Sequence, residues 1–396
     1  MRTLKSRFLT ILMLLASLAI TGFAQTTETK PQPAPVKTTT TEVPFKSFDG
    51  YDMFGKLTLP DTPGRHPIVI YAQTAEGMTV DMKRPGGKNG TFNYFDLYRE
   101  KLPEMNVGFF GYEGRGIRMG DSPPRYEKID WDIYNTSTLE NKARDLVSAI
   151  EVVRKQRGVD ASQIFLIGAS EGTLLAAEAA SRVPKQVKGL MLYGVITSNM
   201  RENYKYLVTD GAYVAYLTYF DSDKDGKITK EEFEQDRAGF RKRSLPGIAF
   251  TVFDRNNDGV FTVDERRELS AGLVQAADTE NWEVLNSWLK VSAAVATPKG
   301  WFQDHFAHKP IWEFLSNLNQ PIGFFQGAKD SAVPIAGVHA LEERAKQAGK
   351  KNWEFYYFDN LDHSLNIGRY FYNGNIPDGH KAIFEFIKNH TKVKKT

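Results

Sequence analysis

The 396-residue chain contains no cysteine. That absence excludes disulfide bonds, a thiolate nucleophile, cysteine-ligated zinc and a lipid-modified cysteine. Excess charge is missing as well, since 51 Lys and Arg face 48 Asp and Glu for a formal balance of +3. Residues 1–24 carry three basic and no acidic side chains, so without them the balance falls from +3 to 0. Nothing in this charge pattern calls for nucleic acid. Long hydrophobic runs are also absent, because the one apolar stretch of note, residues 8–20, is short of the ~20 residues a membrane-spanning helix needs. What is present is a globular composition, 41% hydrophobic and 25% charged. The length suits one large domain with an insertion as comfortably as two domains.

Arg2, Lys5 and Arg7 precede the apolar stretch, and small residues Gly22 and Ala24 follow it. Residues 1–24 therefore read as a secretory signal peptide, with an uncleaved anchor as the alternative. A mature chain without disulfides or stable membrane insertion points to a secreted or periplasmic protein of the bacterial envelope. Residues 25–42 are rich in Thr, Pro and Lys and read as a flexible linker. The basic tail, residues 391–396, reads as a solvated end.

Between these ends, strand and helix signals alternate. Strands are expected at 45–48 and 53–59 around a turn at Asp49-Gly50, then at 67–72, 107–112, 164–167, 189–195, 322–326 and 353–358. Helices are expected at 139–156, after Ser170, after Val333 and at 380–389. This alternation predicts an α/β fold with a mostly parallel central sheet flanked by helices. Residues 199–309 break the rhythm and read as a helical lid inserted between two parts of the core, 43–198 and 310–393.

Gly168, Ser170 and Gly172 form a G-x-S-x-G pattern directly after a hydrophobic strand and before a helix-forming run. Such a sharp turn needs small flanking residues and presents the serine oxygen above a sheet. A serine is a weak nucleophile at pH 7 and needs a base that is itself oriented by a carboxylate. Asp330, after the strand at 322–326, and His363, after the strand at 353–358, follow in the chain order expected for that fold. Asp359 and Asp362 are fallback acids, too close to the histidine in sequence to orient it easily. His305, His308, His339, His380 and His390 are expected on the surface or in the lid.

The G-x-S-E-G elbow, the Asp49-Gly50-Tyr51 segment, the loop from Tyr112 to Gly116 and the G-x-K-D-x-x-V-P segment around Asp330 together resemble the α/β-hydrolase superfamily. The likeness is to bacterial esterases near the prolyl oligopeptidase branch, over roughly residues 43–198 and 310–393. It implies a Ser170, Asp330 and His363 triad and an oxyanion hole built from backbone N–H groups of Glu171 and of Gln73 or Thr74. Many relatives carry His-Gly after the third strand, where this chain reads Tyr71-Ala72-Gln73-Thr74.

Two further stretches, residues 221–232 and 254–265, place oxygen-bearing side chains at alternate positions. In the first, Asp221, Asp223 and Asp225 occupy positions 1, 3 and 5, Gly226 makes the turn, Lys227 offers a carbonyl, and Glu232 closes at position 12. In the second the same places are filled by Asp254, Asn256, Asp258, Gly259, Val260 and Glu265. Hard calcium ions take six to eight oxygens, which this spacing supplies. The repeated pattern resembles the EF-hand family and predicts two calcium sites. Ile228 and Phe261, both at position 8, are placed to pair between the loops.

Trp282, Trp288, Trp301, Phe302 and Trp312 line either an acyl or aryl pocket or the insertion's own core. Lys83, Arg84 and Lys88 read either as a greeting for an acidic substrate or as a solvated loop. The function expected is a secreted, calcium-binding serine hydrolase of small-molecule carboxylic esters. A serine peptidase and a non-catalytic calcium-dependent binding protein on the same scaffold are the alternatives.

Overall fold

A computed structural model of the chain describes residues 36–75, 79–117, 129–292 and 297–392. The expected signal peptide and the first part of the linker lie outside the described residues. Eight strands form one sheet: β1 (Thr38–Lys46), β2 (Asp52–Pro60), β3 (His66–Tyr71), β4 (Gly108–Tyr112), β5 (Val159–Ala169), β6 (Gly189–Tyr193), β7 (Ile322–Gly327) and β8 (Trp353–Phe358). Their spatial order is 1-2-4-3-5-6-7-8, with β1 and β2 antiparallel to their neighbours and the rest parallel.

Strand character follows from composition. β3, β4 and β6 are buried along their whole length, as strands covered on both faces must be. The edge strand β1 is different: its first five residues are exposed. Thr38 to Glu42, expected at the end of the linker, are in fact strand, paired with Pro60 to Lys56 of β2. The run of β-branched threonines suits a pleated edge, and pairing with β2 supplies the backbone partners that a free tether lacks.

Helix α1 (Leu139–Val153) packs on α2 (Glu171–Arg182), which follows β5. Thr138 caps α1 by accepting a hydrogen bond from the Asn141 N–H. Between β6 and β7 the chain leaves the sheet through α3 (Met200–Val208), α4 (Asp210–Phe220), α5 (Lys230–Gln235), α6 (Val263–Asp278), α7 (Trp282–Ser292) and α8 (Trp301–Ala307). This segment has its own cores. One gathers Tyr213, Tyr216, Phe220, Phe233, Phe253 and Phe261. The other gathers Tyr204, Trp288 and Phe302, with Trp282 and Trp301 packed against it. The aromatic residues of the insertion are therefore core, as the second of the two expectations held, and Trp312 stacks edge-on to Trp353 in the main core. Helices α9 (Ile335–Gln347) and α10 (Asp378–His390) complete the alternation. No helix among the described residues is long and apolar enough to cross a membrane.

The chain runs from β3 outward to β4, then crosses back to β5 on the other side of β3. In open α/β sheets the crevice at such a reversal, beyond the carboxyl ends of the strands, is where ligands bind. Gln73, Ser170 and Gly194 stand at the ends of β3, β5 and β6, and Asp330 and His363 follow β7 and β8.

Candidate active site

Ser170 sits between β5 and α2 with φ 54° and ψ −125°, a backbone conformation that an L residue adopts only under constraint. Its N–H donates to the Tyr193 carbonyl at 3.0 Å, which ties the turn to the neighbouring strand. The two glycines of the motif have steric reasons. A Cβ on Gly168 would lie 2.4 Å from the Gly172 carbonyl oxygen, and one on Gly172 would lie 2.8 Å from that of Gln73. The close approach at Gly172 places the serine turn directly against the loop after β3.

His363 and Asp330 meet, with Nδ1 2.9 Å from both carboxylate oxygens. Asp330 is 2% exposed, and it is held from behind. Its Oδ1 accepts from the N–H groups of Ala332 and Val333 at 2.8 Å each, and its Oδ2 accepts from Gln326 Nε2 at 2.8 Å. Burial works to lower the His363 pKa, but the Asp330 carboxylate outweighs it and leaves the imidazole above its ordinary value. The ring rests on Gly194, where a Cβ would stand 2.7 Å from Cε1. Gly194 directly follows Tyr193, so the serine and the histidine are both seated at the end of β6. No hydrogen bond joins Ser170 Oγ to His363 in this conformation; catalytic contacts of this kind often tighten only when substrate binds. Asp362 instead caps its own loop, accepting from the Ser364 and Asn366 N–H groups at 2.9 and 2.8 Å.

Sequence reasoning missed the surroundings of the Glu171 side chain. Only its backbone N–H was expected to matter, as one of the first helical N–H groups without an intrahelical partner. The carboxylate is 1% exposed and bonded on both oxygens, to Lys142 Nζ at 2.7 Å and to His305 Nε2 at 2.7 Å. His305, expected on the surface or in the lid, is fully buried in the inserted segment. Its Nδ1 faces the Trp301 carbonyl oxygen at 2.8 Å. Both ring nitrogens thus face acceptors, which an imidazole satisfies only when both carry protons. Burial would raise the Glu171 pKa, but Lys142 and His305 outweigh it and hold the group at about 2. Burial would likewise lower His305, and the charge of Glu171 raises it instead. His380 is also buried rather than superficial, its Nε2 3.1 Å from the carbonyl oxygen of Ser364, next to His363. His308 is partly buried against Glu178 at 3.0 Å, and His339 is exposed.

At the loops of the insertion, Gly226 and Gly259 have φ of 83° and 86°, as the sharp turn at position 6 requires. Asp221, Asp223 and Asp225 bring one carboxylate oxygen each within 4.8 Å of one another. This convergence of hard anionic oxygens fits calcium. Glu232 is not part of that cluster; its oxygens accept from the Ser222 and Thr229 N–H groups at 2.8 and 2.9 Å. The second loop repeats the frame, with Asp254 accepting from Gly259, Asp258 from Val260, and Glu265 from Arg255 and Thr262. The N–H of Lys227 is tied to Asp225 in the same way at 2.8 Å. Ile228 pairs with Phe261 across a two-residue antiparallel ladder, as expected. Tyr213 of α4 spans both loops, donating to the carbonyls of Gly226 and Phe261 at 3.0 and 2.9 Å.

Lys83 and Lys88 are exposed, on and beside a small hairpin of Lys83–Pro85 with Thr91–Asn93, which suits the solvated-loop expectation. The resemblance segments also find a physical link. Arg115 forks onto Asp49 at 2.7 Å and onto buried Asp145 at 2.7 Å, so the turn before β2 and the loop after β4 are one cluster.

The EF hand family model matches residues 214–235, covering the first loop. No curated protein matches the chain in sequence. Among solved structures, DcsB in complex with its substrate analogue is similar at TM-score 0.50 and 16% identity, over 89% of this chain and 99% of that one. An acetyl xylan esterase from Paenibacillus sp. R4 is similar at TM-score 0.46 and 14% identity, over 92% and 87%. The acylaminoacyl peptidase of Pyrococcus horikoshii is similar at TM-score 0.49 and 12% identity, over 91% of this chain and 43% of that one. The chain spans less than half the length of the peptidases it matches.

Proposed function

We propose that this chain, an α/β-hydrolase fold with an EF-hand in the segment between β6 and β7, is a calcium-binding serine hydrolase of carboxylic esters. The observation that carries the reading is the seating of a conformationally strained Ser170 and an Asp330-paired His363 at the end of one strand, β6. Ser170 Oγ attacks the ester carbonyl while His363 Nε2 takes its proton. Asp330 holds the imidazole in the tautomer that leaves Nε2 free to accept and stabilises the imidazolium that forms. The backbone N–H of Glu171, with one from Gln73 or Thr74, stabilises the oxyanion. His363 then protonates the departing alcohol, and water, deprotonated by the same imidazole, releases the acid.

Calcium in this reading has two sites, at Asp221, Asp223, Asp225, Lys227 and Glu232 and at Asp254, Asn256, Asp258, Val260 and Glu265. It braces the insertion and takes no part in the chemistry. An extracellular module binds calcium at about 0.1 to 1 mM, and the charged-then-apolar pattern of residues 1–24 supports export to such a compartment. The insertion is read as a lid over the site.

Hydrolysis of p-nitrophenyl acetate by the mature protein and by Ser170→Ala tests the proposal, with an aminoacyl nitroanilide alongside. The substitution is expected to lower kcat by about 10⁴-fold or more. Equal turnover by the two proteins rejects the serine mechanism, and faster amide than ester cleavage replaces the esterase with a peptidase.

A further inference from the structure

We propose that His305, carried on the inserted segment, is a positioning residue of the hydrolytic site, holding the Glu171 carboxylate and through it the first turn of α2. The inference rests on the serine-hydrolase reading and deepens it by assigning the insertion a part in setting the oxyanion donors.

Glu171 directly follows Ser170, and a buried carboxylate is tolerated only where its charge is met on every side. Here each oxygen has one cation. Lys142 comes from α1 of the sheet domain, and its Nζ also lies 3.5 Å from the Thr74 carbonyl oxygen. One ammonium therefore touches both segments that carry the proposed oxyanion N–H groups. His305 comes from α8, and its ring is itself fixed. It stacks on Trp301 at a centroid distance of 3.9 Å, and its Nδ1 lies 3.3 Å from Asp304. Asp304 in turn accepts from the Leu139 N–H at 2.9 Å, at the start of α1. Removing His305 leaves Oε2 of the buried Glu171 carboxylate without its donor, and the carboxylate must turn toward Lys142, taking the backbone of residue 171 with it. One turn further along, His308 pairs with Glu178 of α2 at 3.0 Å. That contact docks the same two helices without touching the residue beside the nucleophile.

The two pairs make an internal control. His305→Ala is expected to lower kcat for p-nitrophenyl acetate by about 10- to 100-fold, the range that follows a displacement of ~1 Å in a reacting constellation. KM should change less than threefold, and labelling of Ser170 by a fluorophosphonate probe should slow in step with kcat. His305→Gln, which returns a donor near the imidazole nitrogen, should recover most of the loss. His308→Ala should leave kcat essentially unchanged, because His308 contacts Glu178 and not the residue beside the nucleophile. Lys142→Met, which leaves the insertion untouched, should reproduce the kcat loss, so the test survives a variant of His305 that does not fold. Unchanged kcat in His305→Ala or Lys142→Met, equal losses in His305→Ala and His308→Ala, or a loss confined to KM overturns the proposal while leaving the hydrolase reading intact. A wild-type protein that neither turns over the ester nor is labelled at Ser170 removes the hydrolase reading and this inference together.

Discussion

His363 is the residue whose environment translates most directly into a measurable profile. In the proposed mechanism it must be neutral to accept a proton, and Asp330 favours its charged form. The kcat/KM for ester hydrolysis is therefore expected to fall as pH drops through a value above the ordinary histidine pKa of 6.5. Asp330→Asn removes the anion that chiefly raises the His363 pKa and leaves burial opposed only by the charge of Asp362, so the pKa moves down. The acid limb should then move to lower pH while kcat falls by about 10⁴-fold through loss of tautomer control. A limb that stays in place in the variant argues that another group controls it. Gly194 belongs to the same scale: the space a methyl would need is occupied by the imidazole, so the residue behind the base must be glycine.

At the level of elements, the parts that announced themselves in sequence are those with local rules. Continuous apolar runs marked β3, β4 and β6, and the twelve-residue spacing marked both loops, down to the pairing of Ile228 with Phe261. The Ser170 turn was legible because its glycines answer to contacts within a few residues. The clamp on Glu171 was not, because its partners come from α1 and α8, 29 and 134 residues away in sequence. One sign was available: Lys142 and Asp145 lie on the apolar face of α1, where a charge is unexpected unless a buried partner awaits it. Thr38 to Glu42 misled in the opposite sense, since composition alone marks a polar threonine run as tether while pairing makes it an edge strand. For the loops themselves, Asp223→Ala removes one of three converging carboxylates. It should weaken calcium binding at the first loop by about 10-fold or more, at least the penalty that loss of a supporting contact brings. Titration calorimetry should give two calcium ions per wild-type chain and weaker binding in the variant; binding unchanged from wild type rejects the first loop as a binding site, and a wild-type stoichiometry of one rejects the pair.

Across the whole molecule the insertion grips the sheet domain at two places that belong to the site. α3 and α4 meet the loop of Asp330, where the Tyr206 hydroxyl donates to the Asp330 carbonyl at 2.8 Å and Asn203 to that of Ala332 at 3.2 Å. A Cβ on Gly211 would lie 2.2 Å from the Ser331 carbonyl oxygen. The same α4 carries Tyr213 and ends at Asp221, so one helix connects the first EF-hand loop to the loop of Asp330, the proposed catalytic acid. The second grip is His305 on Glu171, and it has a pH signature. The folded pKa of Glu171 is lowered to about 2 from 4.5, so its contribution is complete above the unfolded value and is lost as pH falls through about 2. That of His305 is raised, so its contribution is complete below 6.5 and is lost as pH rises through the folded value. The charged groups facing the ring are Glu171, Asp304 and Lys142. The pair is therefore whole between about pH 4.5 and 6.5 and weakens on the alkaline side. Calorimetric melting of wild type and His305→Gln across pH 5 to 9 isolates this, because the other titrating groups are shared and cancel in the difference. The Tm advantage of the wild type should be largest near pH 5 to 6 and shrink as the imidazolium loses its proton. A difference that is flat with pH places a neutral ring at His305, and its contact with Glu171 would then be a hydrogen bond without an ion pair.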